Sequence, residues 1–380
     1  EIAQRAFEGC ISLKRFKVPS TVKMIGDWAF EGCHELVQVE LCEGLEGIGR
    51  DAFQYCESLQ NITVPSSVKV IGANAFCGCE QLVEVELCDG LELIGGEAFE
   101  GCKSLKCMKV PSTVSYIGVR AFEHCNKLVD VKLCEGLEII DKNAFSGCNS
   151  LKYMKIPSTV KSISSGAFDD CDQLEELGLC EGLEKIGSHA FSGCTSLLRI
   201  KVPSTVKVIG VGAFWNCLQL QLEDMELCEG LEKVGSSAFR GCKSLKRIKL
   251  PSTIRLIDED AFDGCSQLVV LELSEGLQEI RDSAFSGCKS LKRFKVPSTV
   301  RKIGEEAFFS CKLLKEVELC EGLEQIGPCA FGNCKSLPHI RTPSTVKEIG
   351  EGAFRDCQQL IGVELCDGLE RIGEYAFQSS

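Results

Sequence analysis

The pattern Ala-Phe-x-x-Cys recurs sixteen times between Ala6 and Cys357, and neighbouring Ala-Phe pairs lie 23 residues apart except for the step from Ala213 to Ala238, which is two residues longer. A unit that short holds one or two strands and a turn, so its apolar face is covered only by the units before and after it. The spacing therefore predicts a stacked array: one solenoid of sixteen repeats over residues 1–380, on the order of 80 Å long at the spacing of parallel strands. The longer step predicts a two-residue insertion within 217–227. Because the chain starts inside one unit and stops just after another, it reads as a segment of a longer protein. Open ends would expose strand edges, and end-to-end self-association of the segment is expected from them.

Two unit types alternate, giving a true period of 46. Residues 10–32 (CISLKRFKVPSTVKMIGDWAFEG) represent the Pro rung and residues 33–55 (CHELVQVELCEGLEGIGRDAFQY) the acidic rung. The spacing of Leu13, Phe16 and Val18 leaves Arg15 and Lys17 on the outward side of an extended segment. A second extended piece, Val22 to Ile25, is expected on the opposite wall. The Ala-Phe segment that follows is too short for a stable helix and is expected to be a single 3₁₀ or helical turn. It ends at Gly9, Gly32, Gly78, Asp170, Asn216 and their equivalents, residue types that tolerate positive φ, where the chain should reverse.

The string Leu-x-x-Ile-x-Val/Leu-Pro, followed by Val-x-x-Ile-Gly-x-x-Ala-Phe-x-x-Cys, resembles the BspA-like class of leucine-rich repeats over essentially the whole chain. That resemblance implies a horseshoe-like leucine-rich-repeat solenoid, mainly parallel β with short 3₁₀ or helical turns, used for protein binding. Relatives acting as cell-surface adhesins make an extracellular adhesin the alternative to an interaction scaffold. The resemblance carries no catalytic residues. The acidic rungs depart from it by placing Leu-Cys-Glu-Gly-Leu where a Pro-containing turn is usual.

Of the 26 cysteines, sixteen form the column after the Phe, and seven more (Cys42, Cys88, Cys134, Cys180, Cys228, Cys320 and Cys366) recur in the acidic rungs. Parallel Cβ atoms about 4.8 Å apart are wider than the roughly 3.8 Å a disulfide prefers, so a ladder of buried free thiols is expected. Such a ladder fits a reducing, intracellular compartment, whereas the family resemblance favours the cell surface. Cys77, Cys107 and Cys329 stand outside both columns and are candidate reactive thiols. A line of sulfurs does not converge as zinc ligands must, and His34, His124, His189 and His339 occupy four different columns, so neither a metal site nor a cofactor is expected. The carboxylates of Glu43, Asp89 and their equivalents are single and far apart, and read as solvated.

A net charge of −13 argues against a nucleic-acid partner, and no apolar run approaches the roughly 20 residues of a membrane span. Outward strand positions alternate in sign from unit to unit: Lys201, Glu226, Lys249, Glu272, Lys295, Glu318, Arg341 and Glu364, with Arg199, Asp224 and Arg247 beside them. Lys23, Glu46, Lys69 and Glu92 begin a similar ladder on the other wall. Such alternation reads as register and solubility. Between residues 61 and 178 it breaks. Asn61, Thr63, Cys107, Lys109, Lys132, Tyr153 and Lys155 mix an aromatic with adaptable polar groups, as protein-binding patches do, and form the candidate partner site. No catalytic constellation stands out from the columns, so the expectation is a non-enzymatic scaffold that binds a protein through its outward strand face.

Overall fold

The computed structural model describes residues 1–221 and 227–380. Residues 222–226, the middle of the span 217–227 in which the insertion is expected, lie outside the described residues, and with them Asp224 and Glu226. Contacts divide the chain into two compact units, Glu1–Leu197 and Leu198–Ser380.

In the first unit each repeat contributes one longer and one shorter strand. Arg15–Lys17, Gln38–Glu40, Asn61–Val64, Glu84–Leu87, Cys107–Lys109, Asp130–Lys132, Tyr153–Lys155 and Glu176–Gly178 form one parallel sheet in chain order. The two-residue strands from Met24–Ile25 to Lys185–Ile186 form a second parallel sheet. Partners are 23 residues apart at every step, as in Arg15↔Gln38 and Tyr116↔Ile139, because any slip would turn the apolar set outward. The second unit repeats the scheme, except that its longer strands are divided. Arg247–Lys249 through Glu316–Glu318 form one sheet, and His339–Arg341 pairs with Gly362–Glu364 in another. The division falls at Pro338, which occupies the place where Lys106 donates its N–H to Val83 of the preceding rung. Proline has no N–H to give.

The core is a set of continuous columns. Phe30 through Phe191 are fully buried and stack with ring centroids 5.1–5.5 Å apart; Phe214 through Phe354 do the same in the second unit at 5.2–5.4 Å. Each buried thiol of the main cysteine column has a defined task. Cys56 Sγ donates to the Phe30 carbonyl, 26 residues earlier in the chain, at 3.2 Å, and Cys148 Sγ to that of Phe122 at 3.2 Å. Ser380, standing where the next cysteine would, donates its hydroxyl to the Phe354 carbonyl. The column thus holds a donor as well as a small apolar group.

The Ala-Phe segment is not a helical turn, and there are no helices among the described residues. Alternate N–H groups are divided between the rung itself and the next one. Ala29, Glu31 and Cys33 donate to the carbonyls of Gly26, Trp28 and Phe30, whereas Trp28, Phe30 and Gly32 donate to Arg50, Ala52 and Gln54. A helix is prevented because the backbone turns left-handed twice within this segment. One site is the expected column of Gly32 (φ 68°), Asp170 (55°) and Asn216 (57°). The other is just before the Ala and is occupied by residues as varied as Trp28 (55°), Glu97 (58°) and Cys329 (51°).

The 46-residue period also has a structural cause. The acidic rung latches onto the Pro rung that follows: Glu135 accepts from the N–H and hydroxyl of Ser158 at 3.3 and 2.9 Å, and the Gly136 N–H donates to Thr159 Oγ1 at 3.1 Å. Thr159 in turn donates to the Leu137 carbonyl. The same set recurs with Glu321, Gly322, Ser344 and Thr345. Glu43, Glu135, Glu229, Glu275 and Glu321 are therefore not merely solvated, since each holds the serine one rung away. Towards the preceding Pro rung the contact differs. Cys42 Sγ donates to the Val18 carbonyl, and Ser274, in the same column, donates to that of Leu250.

Candidate functional site

The longer strands bury alternate residues and turn the others outward, which places all seven candidate partner residues on one face of the first unit. Asn61, Thr63, Cys107, Lys109, Lys132, Tyr153 and Lys155 are all exposed. They do not form one contiguous patch. Asn61 and Thr63 are separated from Cys107 by the strand Glu84–Leu87, whose outward residues are Glu84 and Glu86. Asn61 and Thr63 instead border a shallow depression of about 590 Å³ shared with Arg15, Lys17, Gln38 and Glu40. There the charge ladder is intact, with Lys17 Nζ 3.1 Å from Glu40.

From Cys107 onward the face changes. Cys107 pairs with Asp130, and Asp130 with Tyr153; Lys109 pairs with Lys132. Tyr153 stands out with 54% of its surface exposed, and its hydroxyl donates to Glu175 at 2.9 Å. That hydrogen bond, reinforced by the carboxylate's charge, raises the phenol above its usual range. Glu175 is a residue that the strand alternation does not reveal. It lies just before its own strand and holds the aromatic in place.

Three lysines follow one another along the second outward column. Lys132 stands where Glu40, Glu86, Glu272, Glu318 and Glu364 stand in other acidic rungs. Lys109 loses its counter-ion on one side to Lys132, and on the other the Glu86 carboxylate accepts from Thr63 at 3.2 Å. Lys155 has Lys132 on one side and Gly178, which has no side chain, on the other. It shares the field of Glu135, whose oxygens are engaged by Ser158. None of the three lysines makes an ion pair among the described residues. In the second unit the same column is paired, with Lys295 Nζ 2.6 Å from Glu318 and Arg341 Nε 3.6 Å from Glu364.

The three stray thiols do not come together. Cys107 is exposed on the strand face, whereas Cys77 and Cys329 lie partly buried on the turn edge. Burial pushes the Cys77 thiol up to about 11 and raises that of Cys329 as well, which keeps both protonated and poorly nucleophilic at neutral pH. Among the described residues no group of three or more His, Cys, Asp or Glu side chains is placed to hold a metal ion, and no helix is long and apolar enough to cross a membrane.

The description "BspA type Leucine rich repeat region (6 copies)" matches residues 1–129, 94–221, 218–337 and 278–380, which together span the chain. The chain belongs to the BspA-type leucine-rich repeat family. A leucine-rich repeat protein from Bacteroides ovatus has a similar structure, with a TM-score of 0.74 and 28% identity over 95% of this chain and 86% of the other. A leucine-rich repeat protein from Eubacterium ventriosum shares the fold at a TM-score of 0.51 and 22% identity, covering 90% of this chain and 88% of its own. Among curated proteins, none matches the sequence. Leucine-rich repeat proteins are generally non-catalytic and generally mediate protein–protein interaction.

Proposed function

We propose that this BspA-type repeat protein is a non-enzymatic scaffold that binds a protein partner through the outward strand face of its first unit. The observation that carries the reading is the contrast on that face. Where the column is paired, its charges satisfy one another; from Cys107 to Lys155 it presents an exposed tyrosine and lysines that make no ion pair among the described residues. A rigid parallel sheet holds these side chains at fixed spacing, which lowers the ordering cost of binding. The test uses partners captured from the native source. Tyr153→Ala combined with Thr63→Arg should abolish capture, whereas Trp215→Ala, on the turn edge of the second unit, should leave it intact. Capture that survives the strand-face substitutions would move binding to another surface.

The thiols support placing this scaffold in a reducing compartment, because buried ones such as Cys56, Cys148 and Cys242 already donate to carbonyls. Alkylation of denatured, unreduced native protein should then label all 26 cysteines. A largely unlabelled chain would favour the extracellular adhesin.

A further inference from the structure

We infer that Lys109, Lys132 and Lys155, flanked by Tyr153, recognise an acidic, extended segment of a protein partner. The inference rests on the strand face being the binding surface and adds the chemistry of what binds there. Parallel strands hold the three ammonium groups in a strip about 10 Å long, with neighbouring stems about 4.8 Å apart. Like charges held directly opposite one another destabilise a sheet, and none of the three makes an ion pair among the described residues: the nearby carboxylates accept from hydroxyls instead, Glu86 from Thr63, Glu135 from Ser158 and Glu175 from Tyr153, with Glu135 acting on Lys155 only through its field. Gly178 extends the gap beside Lys155, since a Cβ there would touch the lysine stem at 3.6 Å.

An extended peptide with acids at alternate residues places its carboxylates roughly 7 Å apart, within reach of successive flexible lysines. Tyr153 adds a rigid aromatic surface for a neighbouring side chain. Asp130, paired with Cys107 and Tyr153 beside the strip, offers an acceptor to peptide N–H groups and repels a uniformly sulfated chain.

The experiment is fluorescence anisotropy with a labelled peptide of alternating Glu and Ser at low ionic strength, using the full chain. The Lys109→Gln/Lys132→Gln/Lys155→Gln variant should bind at least about tenfold more weakly. Lys295→Gln, which removes a lysine already paired with Glu318, should bind as the unaltered protein does. Equal losses in both variants, or no loss in either, would overturn the inference. So would binding of a sulfated oligosaccharide in place of the peptide. If capture of the native partner fails with Tyr153→Ala/Thr63→Arg but persists in the triple-lysine variant, the acidic-segment chemistry falls and the strand-face reading stands. If capture persists in both, the two fall together.

Discussion

The strand faces around Lys132 and around Lys295 share backbone geometry and differ in charge, Lys132 and Gly178 standing in the column that Glu272 and Glu318 occupy. Both lie on short parallel strands in 23-residue register. Lys295 stands between the columns of Glu272 and Glu318 and is held at 2.6 Å by the latter, whereas Lys132 pairs with Lys109. The repeat thus tolerates a reversed charge on its outward face without any change in strand pairing. Stability resides in the buried columns, which leaves the outward face available for recognition.

That division of labour predicts that the two regions respond alike to damage in the core. Phe145→Ala and Phe285→Ala each empty a fully buried place in a continuous ring stack, and each should cost about 3–5 kcal/mol. Denaturant melts that differ strongly between the two variants would show that the regions are not equivalent inside. Next in size is the latch turn. Gly136 and Gly322 have φ of 113° and 110°, and an added Cβ would lie 2.3 and 2.2 Å from the Ser112 and Ser298 carbonyl oxygens. Gly136→Ala and Gly322→Ala should each destabilise by about 1–3 kcal/mol, again alike.

Acid should loosen the latches of both regions. Hydrogen bonds from Ser158 hold Glu135 below the usual carboxylate value of 4.5, and those from Ser344 do the same for Glu321. A carboxylate whose folded value is depressed stabilises fully above its unfolded value, and that contribution is lost as pH falls through the folded one. Melting temperature should therefore decline below pH 4.5, with a smaller decline in the Ser158→Ala/Ser344→Ala variant. A decline of the same size in that variant would assign it to other carboxylates. The smallest effect separates the regions most sharply. Lys132→Glu restores alternation and should raise the melting temperature, whereas Lys295→Glu places three acids in a row and should lower it, each on the order of 1 °C. Both shifts should fade at high salt. Shifts of the same sign would remove the distinction between the two faces.

Much of this was legible because the period is strict. The Leu, Ile and Ala-Phe columns mark the core, and Gly32, Asp170 and Asn216 mark one left-handed turn because those residues tolerate it. The other left-handed turn, at Trp28, Asp51, Asn74 and Glu97, has no sequence signature, since stacking imposes the conformation on whatever residue arrives there. The helical turn expected over the Ala-Phe segment fails for that reason. Of the candidate site, the outward positions follow from strand alternation. The partners that engage Tyr153 and Thr63, Glu175 and Glu86, depend on side-chain reach between rungs.

By itself, the sequence determined the unit length, the two-type alternation, the inward columns and the break in charge, because each is a property of position within a repeat. The tertiary structure decided which groups meet. Residues 22 to 26 apart come within hydrogen-bond distance only when rungs are stacked: Cys56 on the Phe30 carbonyl, Glu135 on Ser158, Tyr153 on Glu175. Those contacts account for the conserved chemistry of each column within the chain and for the lysines that make no ion pair among the described residues.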